Sequence, residues 1–187
     1  YDSSRNQVGV FGGGNGGFPT DTFFLYDVAT NAWSQPALFM GTDPIHRNWM
    51  AFEYDPIGDR YLMQGGHDTL TYWSAGPNCH GDFWQLKNDA VNGWTWTQLI
   101  VDQGAAGAGG TVGDPGVRFG HDMVYDSARK RMVLYGGAYR LSSSVGPVQL
   151  LDTWEFDCDP TSTTYNTWIQ VSTTSAPGAN SFYAMAY

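Results

Sequence analysis

Three stretches of this chain spell one pattern. Residues 1–13 read YDSSRNQVGVFGG, residues 54–66 read YDPIGDRYLMQGG and residues 125–137 read YDSARKRMVLYGG. Each holds a Tyr-Asp turn, a short apolar run and a pair of glycines. Downstream of each comes a tryptophan among polar residues: Trp33, Trp96 and Trp168. A repeat with a period of tens of residues constrains the fold more than composition does. One such unit cannot bury its own apolar face, so the copies must stack in an array or a ring. The tyrosines stand 53 residues apart (Tyr1 to Tyr54), then 71 (to Tyr125), then 62 (to Tyr187), so insertions separate the common parts.

Each copy divides into four short strands. The segments ahead of the Tyr-Asp turn are RNWMAFEY (47–54), RFGHDMVY (118–125) and NSFYAMAY (180–187). All end in tyrosine after an apolar stretch and are read as strand A. The following turn carries Asp and small residues that favour a tight reversal. Strand B is residues 7–11, 60–63 and 131–135, each closing on a glycine pair that permits positive φ or close backbone packing. Strand C is residues 23–26, 82–86 and 153–156, and strand D, with the tryptophan, is residues 32–35, 95–99 and 167–171. Four antiparallel strands per copy make one propeller blade.

A glycine pair closing strand B, a strand C ending in aromatic-Asp and a tryptophan in strand D together resemble the Kelch repeat. The matching residues are Gly12, Gly13, Tyr26, Asp27 and Trp33, then Gly65, Gly66 and Trp96, then Gly136, Gly137, Phe156, Asp157 and Trp168. The second copy departs from the pattern with Leu86-Lys87 in place of aromatic-Asp. The resemblance covers essentially the whole chain. It implies an all-β, Kelch-like β-propeller with three four-stranded blades at about residues 1–47, 48–117 and 118–179. Residues 180–187 are then the innermost strand of a first-type blade, and blade one is completed by a C-terminal strand. Three blades are too few for a ring of roughly four to eight. The chain is therefore expected to be half of a six-bladed ring, two copies exchanging residues 181–187, or part of a longer propeller. An open end-to-end array is the remaining arrangement.

The long connections, B–C (residues 14–21, 67–81, 138–151) and D–A (36–46, 101–117, 173–179), should emerge on one face. Functional residues concentrate in such loops. The candidate ligand-binding residues are His67, Asp68, Tyr72 and Trp73 in the second copy, Tyr139 and Arg140 in the third, and Arg47 and Arg118 at the start of strand A. Aromatic faces beside Arg and Asp suit a sugar or peptide through stacking and bidentate hydrogen bonds. Residues 104–116 read as a flap without chemistry.

The formal charge of −9, with Lys87 and Lys130 as the only lysines, argues against nucleic-acid binding by a basic face. No apolar run approaches the roughly 18 residues of a membrane span. The aromatic, lysine-poor composition points to an extracellular or cell-surface protein. Cys79 and Cys158 either pair or remain separate thiols. The histidines, His46, His67, His80 and His121, form no metal motif, so neither a metal nor a cofactor is expected. Asp2, Asp55 and Asp126 recur at one turn position and are read as turn-forming. With no complete catalytic constellation, the leading expectation is a non-enzymatic propeller that recognises a glycan or protein through its loop face, or builds a surface assembly. The alternatives are a sugar-modifying enzyme (isomerase, epimerase or oxidase) and a self-assembling structural block.

Overall fold

The computed structural model describes all residues except 16–17, 40, 70–77, 103–109, 111–112, 141, 143–144 and 179. The described residues are all-β, and none of them forms a helix long and apolar enough to cross a membrane. The first repeat contributes β1 (Gln7–Phe11), a small hairpin of β2 (Gly14–Asn15) and β3 (Phe18–Pro19), then β4 (Phe23–Asp27) and β5 (Ala32–Ser34). The second contributes β6 (Ala51–Asp55), β7 (Arg60–His67), β8 (Cys79–Asp89) and β9 (Gly93–Ile100). The third contributes β10 (Asp122–Asp126), β11 (Arg131–Tyr135), a hairpin of β12 (Ala138–Tyr139) and β13 (Val148–Gln149), then β14 (Thr153–Asp157) and β15 (Trp168–Val171). The sheets run β1-β4-β5, β6-β7-β8-β9 and β10-β11-β14-β15, all antiparallel.

Three sequence expectations change. The first sheet has three strands, and residues 180–187 form no ladder. They are held instead by isolated bonds: Phe182 N–H to the Gly120 carbonyl, Met185 N–H to Asp122 Oδ2 at 2.6 Å, and the Tyr183 hydroxyl to the Tyr135 carbonyl. The second B–C connection is also shorter than expected. After a register shift between Gln64 and Gly66, pairing resumes with Gly66 opposite His80 and His67 opposite Cys79. Thirdly, residues 138–151 are not all loop, because β12 and β13 pair there.

The repeated residues do the same work in each copy. Asp2, Asp55 and Asp126 each accept the backbone N–H groups two and three residues on, at 2.9–3.0 Å. That fixes the A–B turn, which ends on a left-handed residue each time: Asn6, Asp59 and Lys130. The glycine pairs serve closeness. Gly13, Gly66 and Gly137 donate to the carbonyls of Arg47, Arg118 and Asn180 at 3.1, 2.9 and 2.9 Å, so each copy is tied to the entrance of the next. A Cβ on Gly65 would stand 2.5 Å from the Arg118 carbonyl oxygen, and Gly65 also has φ +63°.

The sheets stack face to face. On the second sheet Tyr61, Met63, Trp84, Leu86 and Trp96 pack against Phe11, Phe23 and Leu25 of the first. The matching residues of the third sheet, Met132, Leu134, Trp154, Phe156 and Trp168, pack against Ala51, Leu62 and Phe83 of the second. The same positions on the first sheet are Val8, Val10, Phe24, Tyr26 and Trp33, as the strand registers show. Among the described residues no sheet lies in front of them: Val10 is 43% exposed and Trp33 59%.

A side-chain network ties the first two A–B turns. Arg5 bridges Asp2 and, through both guanidinium ends, Asp59, whose Oδ1 also accepts the Tyr54 hydroxyl at 2.6 Å. The Arg5 hydrogen bonds, against partial burial, hold Asp59 down at about 2. A carboxylate depressed in the folded state contributes stability above its unfolded value, and that contribution is lost as pH falls. Stability is therefore expected to fall from about pH 4 towards the folded Asp59 value of about 2. Arg5→Gln should flatten that dependence in acid-unfolding curves; an unchanged slope would show that the network does not couple to folding.

Cys79 and Cys158 are separate, buried thiols. Burial pushes Cys79 up to about 11 and Cys158 higher still. Thiolate is the reactive form, so an aromatic disulfide reagent at pH 8 is expected to label neither cysteine in the folded protein and both in denaturant. Rapid labelling of the native chain would contradict this packing.

Candidate functional site

Arg47 and Arg118, proposed from the sequence as ligand contacts, are built into the fold. Arg47 is 1% exposed and grips both oxygens of Asp82 at 2.5 and 3.0 Å. Its Nη1 also donates to the Gly65 carbonyl, and Asp82 accepts the Trp84 indole N–H at 2.7 Å. Arg118 repeats the unit with Asp152 at 2.9 and 2.7 Å, the Gly136 carbonyl and the Trp154 indole. Every polar group of the unit is engaged, which leaves no guanidinium face for a ligand.

Four other sequence candidates come together where the second and third sheets meet. His67 is 1% exposed, its Nδ1 is 3.0 Å from Thr69 Oγ1, and its ring lies against Trp49 and Phe119. Burial lowers its pKa. Tyr139 packs on the small apolar cluster of Cys79, Val117, Phe119 and Ala138. Arg140 is buried, with Nε donating to the Ser142 and Val145 carbonyls at 3.0 and 2.9 Å. Cys79 Sγ reaches the Arg140 carbonyl at 3.6 Å, joining the two B–C connections. Asp68 lies 3.8 Å from His80 Nε2. Tyr72 and Trp73 lie outside the described residues.

His80, read from the sequence as part of the second B–C connection, is not among the ligand-binding candidates. It stands on β8, with Nδ1 3.0 Å from Asp102 Oδ2. The ring is buried, and its Nε2 has no hydrogen-bond partner. Asp68 Oδ1 is likewise buried and unpartnered. A carboxylate orienting one nitrogen of an imidazole leaves the other able to accept or donate a proton. Among the described residues no group of three or more His, Cys, Asp or Glu is arranged to hold a metal ion.

A second feature lies on the connections between the first and second sheets. A cavity of about 330 Å³ is lined by Asp21 of the first B–C connection and by Gln35 and Asp43 from the following D–A segment, with Phe23 and Trp96 among its apolar walls. Asp43 is largely accessible at its rim. Partial burial, and behind it the charge of Asp21, raise its pKa above the usual carboxylate value. Two carboxylates, an amide and aromatic surface provide acceptors, a donor and a flat apolar contact in one small space. The sequence signal for this site is the loop position of Asp21 and of residues 36–46; nothing local to either segment marks them as neighbours.

No protein-family model matches the chain, and no curated protein matches it.

Proposed function

We propose that this chain is an extracellular or cell-surface binding protein, a sector of a Kelch-like propeller whose loop face takes a polyhydroxylated ligand, a glycan, in the Asp21–Asp43 cavity. The observation that carries the reading is the pairing of two carboxylates from separate connections in a cavity of about 330 Å³, the scale of one or two sugar rings. Sugar hydroxyls donate well to carboxylates, and hydrogen bonds to charged groups are the stronger ones. The repeat chemistry supports the propeller: three copies of one turn, one glycine pair and one stacking face. Tyr1, Tyr54, Tyr125 and Tyr187 line a single cavity of about 300 Å³, as equivalent residues around one axis would. Further blades come from a second copy joined through residues 181–187 or from a longer chain.

Glycan-array screening followed by calorimetry tests the ligand. Asp43→Ala is expected to weaken binding about tenfold or more, since a hydrogen bond to a charged group contributes about 1.5–3 kcal/mol. The site is surface-exposed, so folding should be unaffected. Unchanged affinity in Asp43→Ala and Asp21→Ala would remove the cavity from the binding site.

The pairing of Asp102 with His80 beside Asp68 favours one second reading, acid–base modification of a sugar on the same face. A panel of sugars turned over by the native chain and not by His80→Ala would favour it, and no turnover would count against it.

A further inference from the structure

We propose that the Asp21–Asp43 cavity selects an amino sugar with a free ammonium group. The two carboxylates hold the ammonium, and the oxygens of the sugar take the hydrogen-bond donors of the wall. The inference rests on the glycan reading above and names the class of sugar that the cavity takes.

The repeat supplies its own comparison. Arg47 and Arg118 each close a D-P-x-x-R run, so Asp43-Pro44 corresponds to Asp114-Pro115. Phe24 lies opposite Val10 and Trp84 opposite Met63, at equivalent positions of β1 and β7, which makes Asp21 the counterpart of Gly81. Where the second and third sheets meet, this place is filled. A Cβ on Gly81 would stand 2.8 Å from the Val117 backbone nitrogen. Asp114 is 8% exposed there and accepts the Gly116 N–H at 2.8 Å. Where the first and second sheets meet, the glycine is an aspartate and about 330 Å³ is left open. The second junction thus has one carboxylate engaged in a turn, and the first has two lining a cavity.

These two carboxylates are uncompensated. Asp2, Asp55, Asp82, Asp126 and Asp152 each hold an arginine at 2.5–2.9 Å. Among the described residues Asp21 and Asp43 make no such pair. Burial and the charge of Asp21 act on Asp43, and no cation offsets them. Arg47, four residues on, is committed to Asp82 and the Gly65 carbonyl. Like charges in one space favour a cation between them.

A metal ion or a bare amine would answer the charge and not the rest of the wall. Gln35 offers a donor and an acceptor. Trp96, 4% exposed, lines the cavity and carries an indole N–H without a partner. The Trp168 N–H is unpartnered as well, so the donor comes with the repeat, and the open cavity beside it belongs to the first junction. Such donors need acceptor oxygens. A neutral sugar has the oxygens and lacks the charge. An ammonium donates three hydrogen bonds and accepts none, and charge-assisted bonds are roughly twice as strong as neutral ones. One amino sugar supplies both, with its apolar ring face left for Phe23.

Titration calorimetry with β-linked tetramers of glucose, N-acetylglucosamine and glucosamine tests this, at about pH 6, where the amine is protonated and the carboxylates are ionised. The glucosamine tetramer is expected to bind more tightly than the other two by about tenfold or more, with an affinity that falls as salt rises. Asp43→Asn keeps the shape and an acceptor oxygen and removes the charge. It should erase the preference, and so should Asp21→Asn. Equal affinity for the three tetramers would overturn the charge selection and leave the glycan reading standing. Binding of none would overturn this inference, with the glycan array deciding the wider reading. A preference for glucosamine that survives in both variants would come from the overall charge of −9 and would overturn the assignment to this cavity. Ethanolamine bound as tightly as the tetramer would reveal a cation site in which the sugar has no part, and would overturn it too.

Discussion

Arg118→Met is expected to destabilise the chain by about 3–5 kcal/mol. For a domain of this size that is a fall in melting temperature of about 10 °C or more. The guanidinium is fully buried and satisfies four groups at once: both oxygens of Asp152 and the carbonyls of Gly136 and Pro115. Methionine fills similar volume, so the loss is electrostatic and not a cavity. What remains is a carboxylate held by the Trp154 indole alone, in a site with little water, and two carbonyls without donors. Removing one partner of a buried pair is worse than removing both, because the remaining charge has nowhere to go. Asp152→Asn added to Arg118→Met should therefore recover part of the loss, and the double-mutant cycle should show coupling above about 1 kcal/mol. Arg47→Met should repeat the result, since Arg47 makes the same bonds to Asp82 and Gly65. Denaturant melts showing less than about 1 kcal/mol for either arginine would mean that these residues are not the clasp described here.

Phe83→Ala is expected to cost about 3–5 kcal/mol by removing a large buried ring and leaving a hole. Phe83 is 1% exposed on β8 and sits edge-on to Phe156 and Trp168 at 4.8 and 5.1 Å between ring centres. Its neighbour Trp84 points the other way, into the contact with the first sheet. Adjacent residues of one strand thus hold two different sheet interfaces, as the alternation of a strand requires. The Phe83 variant should loosen the third sheet in particular. Amide exchange in β11 and β14 is expected to rise more than in β1 and β4, and an equal rise throughout would argue for one undivided core. Val91→Ala, at a residue 89% exposed in a hairpin turn, should stay within about 0.5 kcal/mol of the parent.

The parts of the fold that were legible in the sequence are those whose chemistry is local. The Asp of each A–B turn bonds to N–H groups two and three residues away, so its recurrence announces the turn directly. The glycine pairs are legible for the same reason, whereas the tryptophans share a strand position but not a role, Trp96 and Trp168 being buried and Trp33 exposed. The burial of Arg47 and Arg118 is not legible, because their carboxylates lie 35 and 34 residues further on. An arginine ahead of an apolar strand looks like a loop residue free to bind. The available clue was that Asp82 and Asp152 both stand two residues before a tryptophan. Asp21, Gln35 and Asp43 carry no local signal, because only the stacking of the first sheet on the second brings their connections to one cavity. His80 was hidden by the strand that continues beyond a register shift, which no alternation in the sequence marks.

A crystal structure of the chain with a bound glycan tests the central claim most directly, because it places the ligand. The account predicts sugar hydroxyls on the carboxylates of Asp21 and Asp43, beside Phe23 and Trp96. A glycan seated on any other surface, with that cavity empty, would contradict it.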